Sequence, residues 1–133
     1  DQQAITAVAA RLKDGNKDVR HAAVNAMVLV AERGDPCAVT AVAERLADRD
    51  GETRYAAVEA LVQLAEIGDQ HAVNAVVACL EDESWRMRDA AVKALVQLAA
   101  KGDQNVITAV AARLEDGDLT VRRSAAKAVV QLA

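Results

Sequence analysis

The chain has 133 residues, of which 31 are Ala and 19 are Val, and its only aromatic residues are Tyr55 and Trp85. A formal net charge of −4 disfavours a general nucleic-acid-binding protein, because contacts with phosphates require a basic surface. No apolar stretch is long enough to cross a bilayer and no signal peptide is recognisable, so a cytoplasmic location is the default expectation.

A repeat of thirty-four residues occurs four times in register, without insertion or deletion. The repeats are residues 1–34, 35–68, 69–102 and 103–133. An Asp opens each repeat, and a Gly closes each of the first three. A fixed period of this length predicts stacked supersecondary units rather than one globular core. We therefore expect a single repeat array over residues 1–133.

The first half of each repeat predicts a helix of about twelve residues, which we call helix A. In the second repeat, Asp35 is a good N-cap residue, and Pro36 suits the first helical position because its missing N–H would be unpaired there. Apolar residues then recur at i, i+3, i+4 and i+7, which places them on one helical face. This stripe comprises Ile5, Val8, Ala9 and Leu12; Val39, Val42, Ala43 and Leu46; Val73, Val76, Val77 and Leu80; and Ile107, Val110, Ala111 and Leu114.

The second half of each repeat predicts a longer helix, helix B, of about fifteen residues. All four residues at its N-cap position are of strongly preferred types. They are Asn16, Asp50, Ser84 and Asp118. The closing Gly is expected at the C′ position in the left-handed conformation, with a very tight turn into the next helix A. Strand signals are absent, so the sequence predicts an all-α chain of eight helices in four pairs.

A helical wheel at about 100° per residue divides helix B into two faces. Positions 23, 27, 30 and 31 of the repeat share the face that we expect to meet the core. In the first repeat they are Ala23, Met27, Val30 and Ala31. Positions 18, 21, 25, 29 and 32 lie opposite and are expected to face solvent.

One pair of polar residues recurs in every repeat, with a spacing of six residues. The Asp lies in the turn between the two helices, and the Arg lies in the first turn of helix B, directed toward the apolar side. A guanidinium there needs acceptors, so we expect a ladder of Asp–Arg pairs along the interior edge. Four identical sites favour a structural role over a catalytic one. The ladder residues are Asp14, Arg20, Asp48, Arg54, Asp82, Arg88, Asp116 and Arg122.

An apolar residue precedes the Arg in three of the four repeats. The pairs are Val19-Arg20, Met87-Arg88 and Val121-Arg122, and the exception is Thr53-Arg54. With the turn Asp and the small residues that follow the Arg, this pattern resembles the short, PBS-lyase type of HEAT-like repeat over the whole chain. The resemblance implies an α-solenoid, a right-handed superhelix of four two-helix repeats. It also implies a non-enzymatic scaffold that binds protein or peptide through the concave surface of its second helices.

The positions of helix B that vary most between repeats are 17, 18, 21 and 25. The residues there that we select as partner-binding candidates are Lys17, Asp18, His21, Asn25, Glu52, Tyr55, Glu59, Trp85, Arg86, Asp89, Lys93, Leu119, Arg123 and Lys127. We call this set the variable surface. Its diversity is expected for partner recognition by a repeat array, but also for simple drift at exposed positions, and the sequence leaves both interpretations open.

Two features of the variable surface favour a partner. Both aromatic residues, Tyr55 and Trp85, belong to it, although each ring could instead pack over a neighbouring helix end. Its charges also run from acidic in the first two helices B to basic in the last two, which favours a bipolar or acidic peptide. The second interpretation is a purely structural or engineered array with no natural ligand. Nucleic-acid binding ranks last because of the net acidity.

No catalytic, metal-binding or cofactor-binding motif is recognisable, so we expect no enzymatic activity, no metal and no cofactor. His21 and His71 lie in different repeats. Cys37 and Cys79 occupy non-equivalent repeat positions without metal-ligand spacing, and we expect two unpaired thiols.

Neither end of the array has the polar face that usually covers such a stack. The first and fourth repeats agree at twelve of their first fifteen positions, so the outer face of the first repeat is as apolar as one that is normally covered. At the other end, Val129, Val130 and Leu132 are expected on an uncovered face. We therefore expect head-to-tail self-association. The gap-free register is consistent with a segment of a longer natural array and with an engineered one.

Overall fold

The computed structural model describes all 133 residues and contains eight α-helices and no strand. The helices are α1 (Gln2–Arg11), α2 (Lys17–Val30), α3 (Pro36–Glu44), α4 (Gly51–Leu64), α5 (Gln70–Ala78), α6 (Trp85–Leu98), α7 (Gln104–Ala111) and α8 (Leu119–Leu132). Short 3₁₀ turns extend α3, α5 and α7. The all-α class and the pairing of one helix A with one helix B per repeat are thereby confirmed. None of the helices combines the length and the apolar character that a membrane span requires.

The chain divides into two compact units, Asp1–Glu66 and Ile67–Ala133, and each contains two repeats. In the first unit, α1 packs on α2, α3 packs on α4, and the two helices B, α2 and α4, contact each other extensively. In the second unit, α5 packs on α6, α7 packs on α8, and α6 and α8 form the corresponding contact. Within each unit, therefore, consecutive repeats stack mainly through their second helices.

Side chains cap most of the helices where the sequence predicts it. The Asp that opens each repeat accepts a hydrogen bond from the backbone N–H three residues later, at the first turn of helix A. Asn16, Asp50 and Asp118 cap their helices B in a similar way. Ser84 occupies the predicted N-cap position of α6, but its side chain makes no capping hydrogen bond. The backbone N–H of Ser84 is held instead by the carboxylate of Asp82, at 2.9 Å.

The closing glycines adopt the predicted left-handed conformation, but the prediction that they occupy C′ is wrong. The first helix B ends at Val30, and Ala31 follows in an extended conformation, three residues before Gly34. The φ angle of Gly34 is +87°, and its N–H donates to the carbonyl of Leu64, at the end of the next helix B, at 2.6 Å. The same bond joins Gly102 to the equivalent carbonyl at 2.7 Å. The Gly therefore joins consecutive repeats instead of terminating its own helix.

Replacing Gly102 with Ala should lower the free energy of unfolding by about 1–2 kcal/mol, because a Cβ disfavours left-handed backbone by roughly this amount. The φ angle of Gly102 is +84°, and nothing lies within 4 Å of the position a Cβ would take, so the effect is one of backbone conformation alone. Urea denaturation measures it. Gly117→Ala is the matched control: its Cβ also meets open space, without a positive φ. Equal stability of the two variants would contradict the prediction.

The apolar stripe of helix A is buried most completely in the second repeat, where Val39, Val42, Ala43 and Leu46 are all inside. It is least complete in the fourth, where Leu114 is 42 % exposed, contrary to the prediction. Helix B buries Ala23 and Met27 as predicted, and in the first three repeats it also buries position 24, which the wheel did not assign to the core. That position faces the neighbouring helix B, which a wheel of one isolated helix cannot include. Leu132, expected on the uncovered end, is buried, with 2 % of its surface exposed.

Candidate functional site

The first unit contains an ion pair between consecutive repeats. The guanidinium of Arg20 binds the carboxylate of Asp48 in a bidentate manner, with Nε to Oδ2 at 2.9 Å and Nη2 to Oδ1 at 3.1 Å. Its third nitrogen, Nη1, donates to the backbone carbonyl of Asp14 at 3.0 Å. Arg20 and Asp48 are both buried. The Arg thus bonds to the backbone of its own turn and to the carboxylate of the next repeat.

The second unit repeats this arrangement between its own two repeats. Arg88 binds the carboxylate of Asp116 with Nε and Nη2 at 2.9 and 3.0 Å, and its Nη1 donates to the carbonyl of Asp82 at 2.8 Å. Arg113 approaches the same carboxylate at 3.3 Å. The other two ladder arginines also bond to their own turns: Nη1 of Arg54 reaches the carbonyl of Asp48 at 2.9 Å, and that of Arg122 reaches the carbonyl of Asp116 at 2.7 Å.

The bidentate contacts favour the charged forms of Arg20, Asp48, Arg88 and Asp116. Burial would by itself raise the pKa of Asp48, but the hydrogen bonds from Arg20 and from the N–H of Asp50 outweigh it, and the pKa lies below its usual range. The hydrogen bond from Arg88 lowers the pKa of Asp116 in the same way, against the opposing effect of burial. The pKa values of both arginines are raised, chiefly by the hydrogen bond to the partner Asp. Groups held in one charge state are suited to joining repeats rather than to transferring protons.

Most residues of the variable surface are exposed. These are Lys17, Asp18, Asn25, Glu52, Tyr55, Glu59, Trp85, Arg86, Lys93, Leu119, Arg123 and Lys127. His21 is half-buried. Tyr55 and Trp85 expose 44 % and 43 % of their surface, so each ring is partly packed and partly available.

Asp89 is the exception, because the structure buries it where the helical wheel predicted exposure. The hydroxyl of Ser124 on α8 donates to Asp89 Oδ1, and Lys93 Nζ lies 3.1 Å from Oδ2. Ser124 occupies a repeat position that holds Ala in the other three repeats, so only here does the neighbouring helix B offer a hydroxyl to an Asp. Asp89 is therefore part of the contact between α6 and α8.

A groove of about 510 Å³ lies between α6 and α8 in the second unit. We call it the basic groove, and its lining residues are Val92, Lys93, Val96, Gln97, Thr120, Arg123, Ser124, Lys127, Ala128 and Gln131. It brings together three cations of the variable surface, two amides and an apolar floor. A groove of about 570 Å³ between α1 and α3 of the first unit is lined mainly by Ala, Thr and other small side chains, and it contains no residue of the variable surface.

A family model for HEAT repeats matches residues 1–62 and 60–131, which together span nearly the whole chain. The chain belongs to the HEAT-repeat family. This membership confirms the α-solenoid fold class.

One solved structure that resembles this HEAT-repeat chain is the crystal structure of an engineered protein, Northeast Structural Genomics Consortium target OR329. The two share 18 % sequence identity with a TM-score of 0.70, and the match covers 96 % of this chain and 62 % of that one. At this identity, the likeness shows the fold alone. No curated protein matches the chain.

The sequence analysis missed two amides of the basic groove, Gln97 and Gln131. Both occupy repeat position 29, one helical turn after position 25, and Gln63 occupies the same position in the second repeat. This recurrence is a signal that could have extended the variable surface by one turn. Elsewhere, no group of three or more His, Cys, Asp or Glu side chains could hold a metal ion. Cys37 is exposed, Cys79 is buried, and neither forms a disulfide.

The ion pairs between repeats should make stability fall in acid. The pKa values of Asp48 and Asp116 lie below that of an unfolded Asp, about 3.9, so the unfolded chain takes up protons first as the pH falls. The contribution of both carboxylates is therefore complete above about pH 4 and is lost as the pH falls through the folded-state values. Urea midpoints between pH 7 and pH 2.5 should fall less steeply for Asp116→Asn than for the unsubstituted chain. Parallel pH profiles would contradict this expectation.

Proposed function

We propose that this HEAT-repeat protein is a non-enzymatic scaffold that binds a protein or peptide segment on the surface of its second helices. The basic groove between α6 and α8 is the observation that supports this proposal best. It is the place where an apolar floor, hydrogen-bonding amides and unneutralised charges occur together.

The charges of the basic groove favour an acidic partner. Arg123 and Lys127 are exposed, form no ion pair within the protein and lie four residues apart on α8. Like charges at this spacing destabilise a helix, so a bound carboxylate would relieve their repulsion. Lys93 lines the groove from α6, where Asp89 neutralises it only in part because the Lys93 side chain remains 66 % exposed. An extended segment rich in Asp and Glu fits this arrangement.

The uncharged part of the basic groove suits an extended backbone. The amides of Gln97 and Gln131 can each donate and accept a hydrogen bond, as the peptide groups of an unpaired segment require. Val96, which is half-buried and also lines the groove, provides apolar contact area for side chains of the partner. These groups would contribute binding energy that does not depend on charge.

The variable surface of the first unit has the opposite charge. Asp18, Glu52 and Glu59 are exposed there against a single cation, Lys17. A bipolar partner would therefore place its acidic segment on the second unit and its basic segment on the first. Tyr55 and Trp85 would add exposed aromatic area, which is enriched among the residues that dominate binding energies.

Fluorescence anisotropy with a labelled oligo-glutamate peptide tests the acidic-partner proposal. Arg123→Glu/Lys127→Glu should weaken binding at least tenfold and slow association, because steering of the peptide is lost. Arg33→Glu/Lys101→Glu is the matched control: it changes the net charge equally at exposed positions outside the groove. Equal weakening by both variants would show that only net charge matters and would contradict the proposal. Tighter binding of a single-stranded DNA probe of equal charge would favour a nucleic-acid partner instead.

A second experiment separates a binding scaffold from a purely structural array. Affinity capture on an immobilised peptide with an acidic and a basic half should be reduced by Tyr55→Ala/Trp85→Ala. If the unsubstituted chain is not captured and the oligo-glutamate peptide also fails to bind, both results favour the alternative that the protein is a purely structural array with no ligand.

A further inference from the structure

The ion pairs between consecutive repeats leave two complementary groups at the opposite ends of this chain. Arg122 uses Nη1 on the carbonyl of Asp116 at 2.7 Å, but its Nε and Nη2 have no carboxylate of the kind that Arg20 and Arg88 bind. Asp14 occupies the repeat position of Asp48, yet it has no bidentate Arg. These are the two halves of one further ion pair.

The surroundings of Asp14 show what is missing. Its carboxylate accepts the N–H of Asn16 at 2.8 Å, and its nearest cation is the largely exposed Arg11, with Nη1 at 3.9 Å. The Asp14 side chain is 29 % exposed, whereas the side chain of Asp48 is 2 % exposed. The Asp14 carboxylate thus accepts the same backbone hydrogen bond from its turn as the Asp48 carboxylate does, and it remains partly exposed to solvent.

Both end faces also expose apolar groups that are buried at inner repeats. In the first repeat, Val8 and Ala26 are partly exposed, whereas the equivalent Val42 and Ala60 of the second repeat are buried. This face is the one that a preceding repeat covers within each unit.

The opposite face belongs to the fourth repeat. Leu114 is 42 % exposed there, whereas the equivalent Leu80 of the third repeat is 2 % exposed. Ala126 is exposed as well, whereas the equivalent Val92 is fully buried. This face is the one that a following repeat covers within each unit.

The two end faces are complementary because the first repeat has nearly the same helix A and turn as the fourth repeat, which already packs on a preceding repeat. The turn that carries Asp116, together with the helix A before it, agrees with the first repeat at twelve of fifteen positions, including the turn Asp. A first repeat can therefore offer Arg122 of a fourth repeat nearly the same turn that binds Arg88 inside the second unit. We propose that two copies of this chain associate head to tail, with Arg122 of one copy bound bidentately to Asp14 of a second copy.

The test is sedimentation velocity of the 133-residue chain from about 10 μM to 1 mM. The unsubstituted chain should show a weight-average mass that rises with concentration. Asp14→Arg and Arg122→Asp should each raise the dissociation constant at least tenfold, because each places like charges together. An equimolar mixture of the two variants should restore association, since each contact between two different variants joins an Arg to an Asp, whereas contacts between copies of one variant still place like charges together.

A substitution that disturbs its own repeat would also weaken association, and helical content measured on each variant identifies that case. Restored association in the mixture distinguishes loss of the ion pair from such a disturbance. Lys101→Asp is the charge control, because it changes the net charge as Arg122→Asp does but at an exposed position outside the basic groove, and it should associate like the unsubstituted chain. A strict monomer at 1 mM would overturn the proposal. Association that survives both single substitutions, or a mixture of two well-folded variants that does not associate, would overturn it as well.

Discussion

Replacing Leu95 with Ala is expected to lower the free energy of unfolding by about 3 kcal/mol. Leu95 lies in α6 and is fully buried, in a helix that packs on both α5 and α8. Most buried apolar residues of the chain are Ala and Val, whose short side chains have few rotatable bonds with which to fill the space that a Leu side chain leaves. The loss therefore combines the transfer free energy of the removed atoms with the energy of an unfilled cavity.

Leu29→Ala is the control for this substitution, because Leu29 is in a helix B but is 85 % exposed. Its effect should lie within about 0.5 kcal/mol of zero. Urea denaturation, monitored by circular dichroism, gives both values. Similar losses for the two variants would mean that Leu95 does not lie in the tightly packed contact between helices described above.

Replacing Asp116 with Ala is expected to destabilise the protein by about 3 kcal/mol, because it leaves a partly buried guanidinium without its carboxylate. The Asp116 side chain is 2 % exposed. Its carboxylate accepts hydrogen bonds from Nε and Nη2 of Arg88, from Nη1 of Arg113 and from the N–H of Asp118, the last at 2.9 Å. After the substitution, Arg88 retains only backbone carbonyl acceptors.

A double-mutant cycle separates the ion pair from the loss of packing. Arg88→Met/Asp116→Ala should cost less than the sum of the two single substitutions, because the uncompensated charge is removed. Glu115→Ala, at the adjacent exposed position, should change stability little. Additive single effects in the cycle would show that the two residues do not interact.

Much of the fold follows from the sequence because the repeat is local. Asp35 followed by Pro36, and the apolar spacing of Val39, Val42 and Leu46, encode a capped helix with one buried face in a single stretch of chain. The same pattern recurs in each repeat, so an incorrect helix prediction for one repeat would have disagreed with the predictions for the other three. The left-handed glycines follow in the same way from residue chemistry alone.

The errors concern features that depend on the neighbouring repeat. Gly34 was placed at the end of its own helix because a Gly commonly ends a helix, but its N–H bonds to Leu64, thirty residues later. The ladder was expected from the Asp and Arg of each repeat, but the spacing could not assign the bidentate partner of Arg20 to Asp48 rather than Asp14. These contacts join residues about one repeat apart in the sequence.

The candidate site was predictable in outline only. Variation at positions 17, 18, 21 and 25 identified the exposed cations Arg123 and Lys127, because those positions lie on one side of a helix. A single-helix wheel could not predict that Asp89 would be buried, because its hydroxyl donor, Ser124, comes from another helix. Nor could it predict the basic groove, whose depth depends on how closely the small side chains allow α6 and α8 to approach.

Circular dichroism of an isolated repeat, residues 69–102, tests most directly whether the neighbouring repeats provide the stability of each helical pair. An Ala- and Val-rich hairpin buries too little apolar surface to offset its conformational entropy, at roughly 25 cal/mol per Å². We therefore predict that the single repeat is largely unfolded at 25 °C, while the 133-residue chain is helical and unfolds cooperatively. A single repeat with native-like helical content and a cooperative thermal transition would contradict the account.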